Sequence, residues 1–214
     1  MRSVWQSADT SVQVVQVDES HDKQTVETLL RFFERVAAQE GWQPGEALNR
    51  WRAGAVYFAL EVDEQLAGGL QLVLPDAAGV LPYDAVWPEI ATPTNQCAHV
   101  TILALADGFR GQGTLFWTLV VEMWRYCVAQ GITTLFIEVT PRVLPLYQRL
   151  GWPLHVCGEL RTHWGEDCYL CAFGIPSVAE VLLSRSARSR LYRQVVAHAF
   201  RLALPERAPE RVAV

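Results

Sequence analysis

Leu103-Ala104-Leu105-Ala106-Asp107-Gly108-Phe109-Arg110-Gly111-Gln112-Gly113-Thr114 is the stretch from which the architecture of this 214-residue chain can be read. It leaves an apolar run, Ala98 to Ala106, with the composition of a strand buried on both faces. It then turns through glycines and enters Gly111 to Gln130, a run of helical period that Gly131 stops. A helix that opens on such a turn offers the unpaired N–H groups and positive dipole end of its first turn to an anion, and glycines let the anion come close. The ligand this predicts is a phosphate or pyrophosphate. A glycine turn that merely starts a helix explains the same residues. The spacing fits neither a Walker loop, which ends in Gly-Lys-Ser/Thr, nor a dinucleotide fingerprint, whose third glycine falls on Phe116.

Beyond the helix, Thr133 to Thr140 repeats the buried-strand composition, Pro141 opens a short helix to Leu150, and Gly151 closes it. Leu154 to Arg161 and Tyr169 to Ile175 read as two strands around a polar turn, and Ser177 to Ala203 as one or two helices. On the other side, Ser11 to Val17 alternates like a half-buried strand. Val26, Leu29, Leu30, Phe33 and Val36 then give one apolar helical face, between the candidate caps Ser20 and Asp22 and the stop at Gly41. Gly41 to Gly54 is irregular and carries Trp42 and Trp51, and Ala55 to Val62 and Leu66 to Leu74 form a hairpin through Asp63, Glu64 and Gln65. Pro75, Asp76, Gly79, Pro82 and Pro88 break the chain into a long loop holding Tyr83 and Trp87, of the kind that often binds ligands. This order specifies α/β (α+β) architecture, a mixed central sheet flanked by helices in one domain over residues 1–176. Residues 177–214 are a helical extension packed on or beside it.

Half of the residues are hydrophobic and 19% are charged, which suits a single packed core and excludes a disordered chain. Formal net charge is −5, and all 18 basic residues except Lys23 are arginines, so no overall basic field exists for nucleic acid. The 5 cysteines follow no regular spacing, and with no apolar leader they point to reduced thiols in the cytoplasm. No apolar run approaches the about 18 residues that span a bilayer. Cys168-Tyr169-Leu170-Cys171 has half the spacing of a zinc site without a second pair, so no metal is expected.

Arg110-Gly111-Gln112-Gly113 after Leu103-Ala104-Leu105 resembles the acyl-thioester-binding segment of the GNAT superfamily of N-acyltransferases. Leu146-Tyr147-Gln148-Arg149-Leu150-Gly151-Trp152 resembles the Leu-Tyr-x-x-x-Gly-Phe segment of the same superfamily, in the expected order one helix and one strand later. Gly68 to Pro75, Leu81-Pro82-Tyr83, Trp87-Pro88-Glu89 and Arg149 to Pro153 resemble the acyl-homoserine-lactone synthases and N-acyl amino acid synthases, as do Arg31, Phe33 and Trp42. The resemblance implies a GNAT-like fold and a co-substrate that is acyl-CoA or acyl-phosphopantetheine on acyl carrier protein. Its pyrophosphate would sit on Arg110, Gly111, Gln112, Gly113 and Thr114, with Leu103 and Leu105 on the adjoining strand. Leu72, with Gln71 before it, replaces an arginine of the lactone synthases, and His99-Val100-Thr101-Ile102 replaces their Glu-Leu-Ser-Arg. Both departures weaken a lactone-forming reaction on S-adenosylmethionine and leave open a linear amide, formed with an amino acid or similar primary amine. The alternatives are an acyl-homoserine-lactone synthase and a non-catalytic acyl-thioester binder or sensor.

Aminolysis of a thioester needs a neutral amine and a proton for the departing thiolate. By the resemblance Tyr147 lies beside the sulfur, and a phenol, protonated at neutral pH, can supply that proton. His99 stands where relatives carry a glutamate and is the candidate base, alternation placing His99, Thr101 and Leu103 on one strand face. Glu138 competes for the role, since a carboxylate in the apolar run Phe136-Ile137-Glu138-Val139 needs a partner or a purpose. Each also has a purely structural reading: a core tyrosine, a histidine satisfied by a carbonyl, and a buried ion pair. Phe116, Trp117, Met123, Trp124 and Tyr126 surround their helix, which fits core packing, a homodimer interface or an acyl tunnel. Arg185, Arg188, Arg190, Arg193 and Arg201 form a solvated face or a dock for an acidic carrier protein.

Overall fold

The computed structural model describes residues 2–7, 10–44, 47–90 and 96–199. The strands are β1 (Arg2–Ser7), β2 (Thr10–Val17), β3 (Ala55–Val62), β4 (Gln65–Val73), β5 (Cys97–Leu105), β6 (Thr134–Val139), β7 (His155–Val156), β8 (Arg161–His163) and β9 (Glu166–Gly174). They form one mixed sheet in the order β1-β2-β3-β4-β5-β6-β9-β7, with β8 also paired to β9. Among the described residues only β5 and β6 run parallel. β1, on the sheet edge, lies in a stretch to which the sequence patterns assigned no element.

Helix α1 (Lys23–Glu40) forms as its caps predict: the Asp22 carboxylate accepts from the Thr25 N–H and Gly41 ends the helix at φ 76. Its apolar face, Val26, Leu29, Leu30, Phe33 and Val36, covers one side of the sheet together with Tyr57, Ala59, Val73, Ile102 and Ala104. The single-turn α2 (Ala47–Arg50) follows. The opposite side is covered by α3 (Gly113–Ala129), by α5 (Ile175–Ser186) and by α6 (Arg190–Ala199), whose Leu182, Tyr192, Val195 and Val196 share a core with Trp117, Leu119 and Leu135. Trp117 stacks on Trp152 with centroids 5.5 Å apart, and Tyr126 meets Phe58 edge-on, so these rings of α3 are core.

Several boundaries differ from the sequence reading: α2 lies in a stretch read as irregular, β9 begins at Glu166 and not Tyr169, α5 begins at Ile175 and not Ser177, and three further differences have a plain cause. Helix α3 begins at Gly113 because Gly111, at φ 78, lies outside the helical region. Helix α4 (Leu144–Leu150) begins beyond Pro141, since the Thr140 carbonyl first accepts from both Val143 and Leu144 in a turn. The expected strand from Leu154 to Arg161 is broken into β7 and β8, because the Cys157 and Gly158 N–H groups both turn to the Leu170 carbonyl.

That break seats the expected loop. Tyr83 and Trp87 are fully buried, and the Trp87 indole N–H donates to the Glu159 carbonyl at 2.8 Å. Its two aromatic residues are therefore spent on packing, while Pro82 and Ala85 of the same loop line a cavity. Gly158 lies against this ring: a Cβ there would stand 2.7 Å from Trp87 Cδ1 and 2.8 Å from Leu170 Cβ. Gly158→Ala is expected to destabilise the fold by about 1–3 kcal/mol through overpacking, read from the urea midpoint. An unchanged midpoint would show that the Trp87 ring is free to move.

Candidate active site

Val100 and Ile137 are the last residues that pair β5 with β6. Beyond them β5 stays with β4 and β6 with β9, so the two parallel strands diverge. Thr101 is a bulge: Leu72 pairs with Val100 and Gln71 with Ile102, leaving Thr101 opposite no residue. Its hydroxyl donates to Gln71 Oε1 at 2.7 Å, and the buried Gln71 amide donates in turn to the Tyr57 hydroxyl at 3.0 Å. The bulge reverses the predicted alternation, because His99 is opposite Val73 on the α1 side whereas Leu103 is opposite Leu70 on the α3 side. His99 and Leu103 therefore occupy different faces of the sheet.

A cleft of about 680 Å³ opens where the strands part. Its walls come from both faces: Phe116, Met123, Tyr147 and Trp152 on the α3 side, and Glu138, His163, Trp164 and Trp42 on the other. The cleft thus crosses the sheet. A second cavity of about 250 Å³ adjoins it on the Glu138 side, lined by Arg50, Trp51 and Pro82 and sharing Thr101, Glu138, His163 and Trp164 with the first.

Tyr147, on α4, packs edge-on against Trp152 with centroids 5.8 Å apart, and its hydroxyl has no hydrogen-bond partner among the described residues. Burial raises its pKa above the ordinary phenol value, so it holds its proton at neutral pH.

On the opposite face Glu138 gathers three groups. His163 Nδ1 lies 2.5 Å from Oε2, the Cys168 thiol donates to Oε2 at 3.6 Å, and His99 Nε2 stands 3.4 Å from Oε1 without an aligned hydrogen bond. Burial first, and the Glu138 charge second, push the Cys168 thiol up to about 12, so it remains a donor. His99 is 0% exposed and lines neither cavity. Burial outweighs the pull of the carboxylate and pushes its ring down to about 4, which keeps it neutral at pH 7. The structure thus brings His99 and Glu138 together and adds His163, which the sequence reading missed because it lies 25 residues from Glu138 in a stretch read as a polar turn.

The Gly111 to Gly113 loop is exposed, with no side chain within 4 Å of where a Gly111 Cβ would be. Gln112 caps α3 without a side-chain hydrogen bond; the Leu115 and Phe116 N–H groups donate to its carbonyl, which leaves those of Gly113 and Thr114 for an anion, and the Leu115 side chain turns into the core. Arg110 is engaged locally: its guanidinium pairs with Glu40 at 2.5 Å and Asp107 at 3.2 Å and donates to the Leu105 carbonyl. The loop lies outside the cleft lining, which includes Leu103, Arg142 and Arg149 but not Leu105. Among the described residues no group of His, Cys, Asp and Glu is arranged to hold a metal ion, and no helix is long and apolar enough to cross a membrane.

A profile of the family described as N-acyl amino acid synthase FeeM matches residues 38–170, more than half of the chain. The chain belongs to this family. It is accordingly an acyltransferase, and solved structures agree on the fold. FeeM, an N-acyl amino acid synthase from uncultured soil microbes, is 18% identical with a TM-score of 0.63, over 86% of this chain and 98% of that one. The CoA-dependent acyl-homoserine lactone synthase BjaI, solved with SAM and isopentyl-CoA, is 12% identical with a TM-score of 0.59, over 86% and 99%. The acyl-homoserine lactone synthase LasI is 18% identical with a TM-score of 0.58, over 79% and 91%. The GNAT-like fold of the FeeM family is thus present. No curated protein sequence matches the chain.

Proposed function

We propose that this FeeM-family protein joins an acyl group, carried as a phosphopantetheine thioester, to the primary amine of an amino acid by direct transfer. The observation that carries this reading is the cleft through the sheet, with a protonated phenol on one face and a carboxylate flanked by two imidazoles on the other. A thioester laid between the diverging strands meets both. The amides of Gly111, Gln112, Gly113 and Thr114 bind the phosphates, Arg110 adds positive charge once it turns from Glu40, and backbone groups near Leu103 and Leu105 guide the pantetheine. Tyr147 protonates the leaving thiolate, and the group formed by His99, Glu138 and His163 receives the proton from the amine. At the smaller cavity Arg50 has no carboxylate partner among the described residues, which suits it to the carboxylate of an amino acid.

Acyl carrier protein is the donor we favour. Exposed Arg188, Arg190 and Arg193 surround Leu191, whose Cδ2 lies 3.8 Å from where a Gly113 Cβ would be, so a cationic surface adjoins the phosphate loop. The free cysteines fit the reducing cytoplasm, where we place the protein. Intact-mass screening of acyl-CoA and acyl-carrier-protein donors against the amino acids tests the reading. Linear N-acyl products with at least one pair are expected. A lactone made only with S-adenosylmethionine, or donor binding without product, would overturn it.

A further inference from the structure

We infer that His163, held by Glu138, is the base that takes the proton from the acceptor amine, and that the amine reaches it from the smaller cavity. The inference rests on the acyl-transfer reading of the cleft and deepens it. Of the three groups clustered around the Glu138 carboxylate that could accept a proton, two are poorly placed. His99 is sealed from both cavities, so no amine touches it. Both oxygens of Glu138 already face an imidazole, at 2.5 Å and 3.4 Å. His163 lines both cavities, and its Nε2 has no partner among the described residues. Because the carboxylate accepts from Nδ1–H, the tautomer is fixed and Nε2 keeps its lone pair.

The ring is held for this task. His163 ends β8 opposite Glu166, and Trp164 at φ 54 and Gly165 at φ 83 make the two-residue turn between them. A tryptophan at positive φ is costly, and such strain persists where the surroundings enforce it. Here the Trp164 carbonyl accepts from the Gln43 N–H at 2.7 Å, and the indoles of Trp87 and Trp164 flank the imidazole with centroids at 6.4 and 5.6 Å. The charged groups around the ring include Glu138 from β6, Glu166, its cross-strand partner on β9, and Arg50 from α2, with neutral His99 behind and the protonated Cys168 thiol from β9 beside the Glu138 carboxylate.

In the transfer step the amine nitrogen forms its bond to the thioester carbon and loses a proton to His163 Nε2. The C–S bond breaks with its electron pair leaving on sulfur, and the Tyr147 hydroxyl supplies the proton that makes the thiol. Solvent then reprotonates Tyr147 and deprotonates His163, so the net reaction is neutral amine plus thioester to amide plus thiol.

With a donor and amine pair identified by mass screening, His163→Ala and His163→Gln are each expected to lose about 100-fold in kcat, with the donor KM within about twofold. Imidazole added to solution is expected to restore turnover at least about tenfold in His163→Ala and not in His99→Ala. Turnover within about threefold of wild type, or a loss that imidazole does not lift, overturns the assignment. Independently of activity, 15N-labelled wild type is expected to show a strongly deshielded Nδ1 proton that Glu138→Gln and His163→Gln both abolish. Its absence from wild type overturns the fixed tautomer and the assignment with it. A wild type that turns over no pair at all overturns the acyl-transfer reading and this one together, whereas active wild type with an unaffected His163 variant overturns only this one.

Discussion

Tyr147→Phe is expected to lower kcat about 100-fold while leaving the donor KM within about twofold. The substitution keeps the ring that packs on Trp152 and removes only the hydroxyl, so binding and folding have little reason to change. What is lost is the proton for the thiolate, a group that exists only as the C–S bond breaks. Since burial holds the phenol above its ordinary pKa, wild-type turnover should show no alkaline decline from this residue near neutrality. The variant should recover on donors whose thiol is more acidic, because a weakly basic leaving group needs less proton transfer. Equal losses on alkyl and aryl thioesters would remove Tyr147 from the proton-donor role.

Acid will expose the buried imidazole. An unfolded chain protonates histidine near 6.5, whereas His99 in the fold resists protonation down to about 4. Between those values the unfolded state binds more protons than the folded state, so stability falls as pH drops from about 6.5 to about 4, and this residue adds no further change below. The full extent corresponds to about 3 kcal/mol. Urea unfolding at pH 7.5 and pH 4 should therefore differ by about that much more in wild type than in His99→Leu. Asp18, whose hydrogen bonds, Ser20 foremost, hold it at about 2, titrates at lower pH and on the surface. Parallel pH dependences in the two proteins would mean that some other group governs acid unfolding.

Signals confined to a few neighbouring residues were legible in the sequence. Asp22 and Gly41 bracket α1, and the glycine turn before α3 is open as the spacing of Gly111 and Gly113 requires. What depended on partners far along the chain was not. The alternation from His99 to Leu103 fails because Gln71 and Leu72, on another strand, pair around Thr101. Proline and glycine marked the segment around Trp87 as loop but could not show that its indole would be enclosed by Leu170 and Gly158. His99, Glu138 and Tyr147 were each singled out on local grounds, yet the first two meet through the pairing of β5 with β6, and His163 joins them through the pairing of β8 with β9.

The cleft and the cavity beside it would separate two kinds of choice. In the proposed reaction the donor would be met by α3 and α4, through Phe116, Met123 and Tyr147, and the acceptor by α2 and the hairpin tip, through Arg50, His163 and Trp164. These walls belong to different stretches of chain and, on that reading, would touch different molecules. Substitutions that admit a longer acyl tail therefore need not disturb the choice of amine, and the catalogue of products open to this scaffold is the product of two independently adjustable lists.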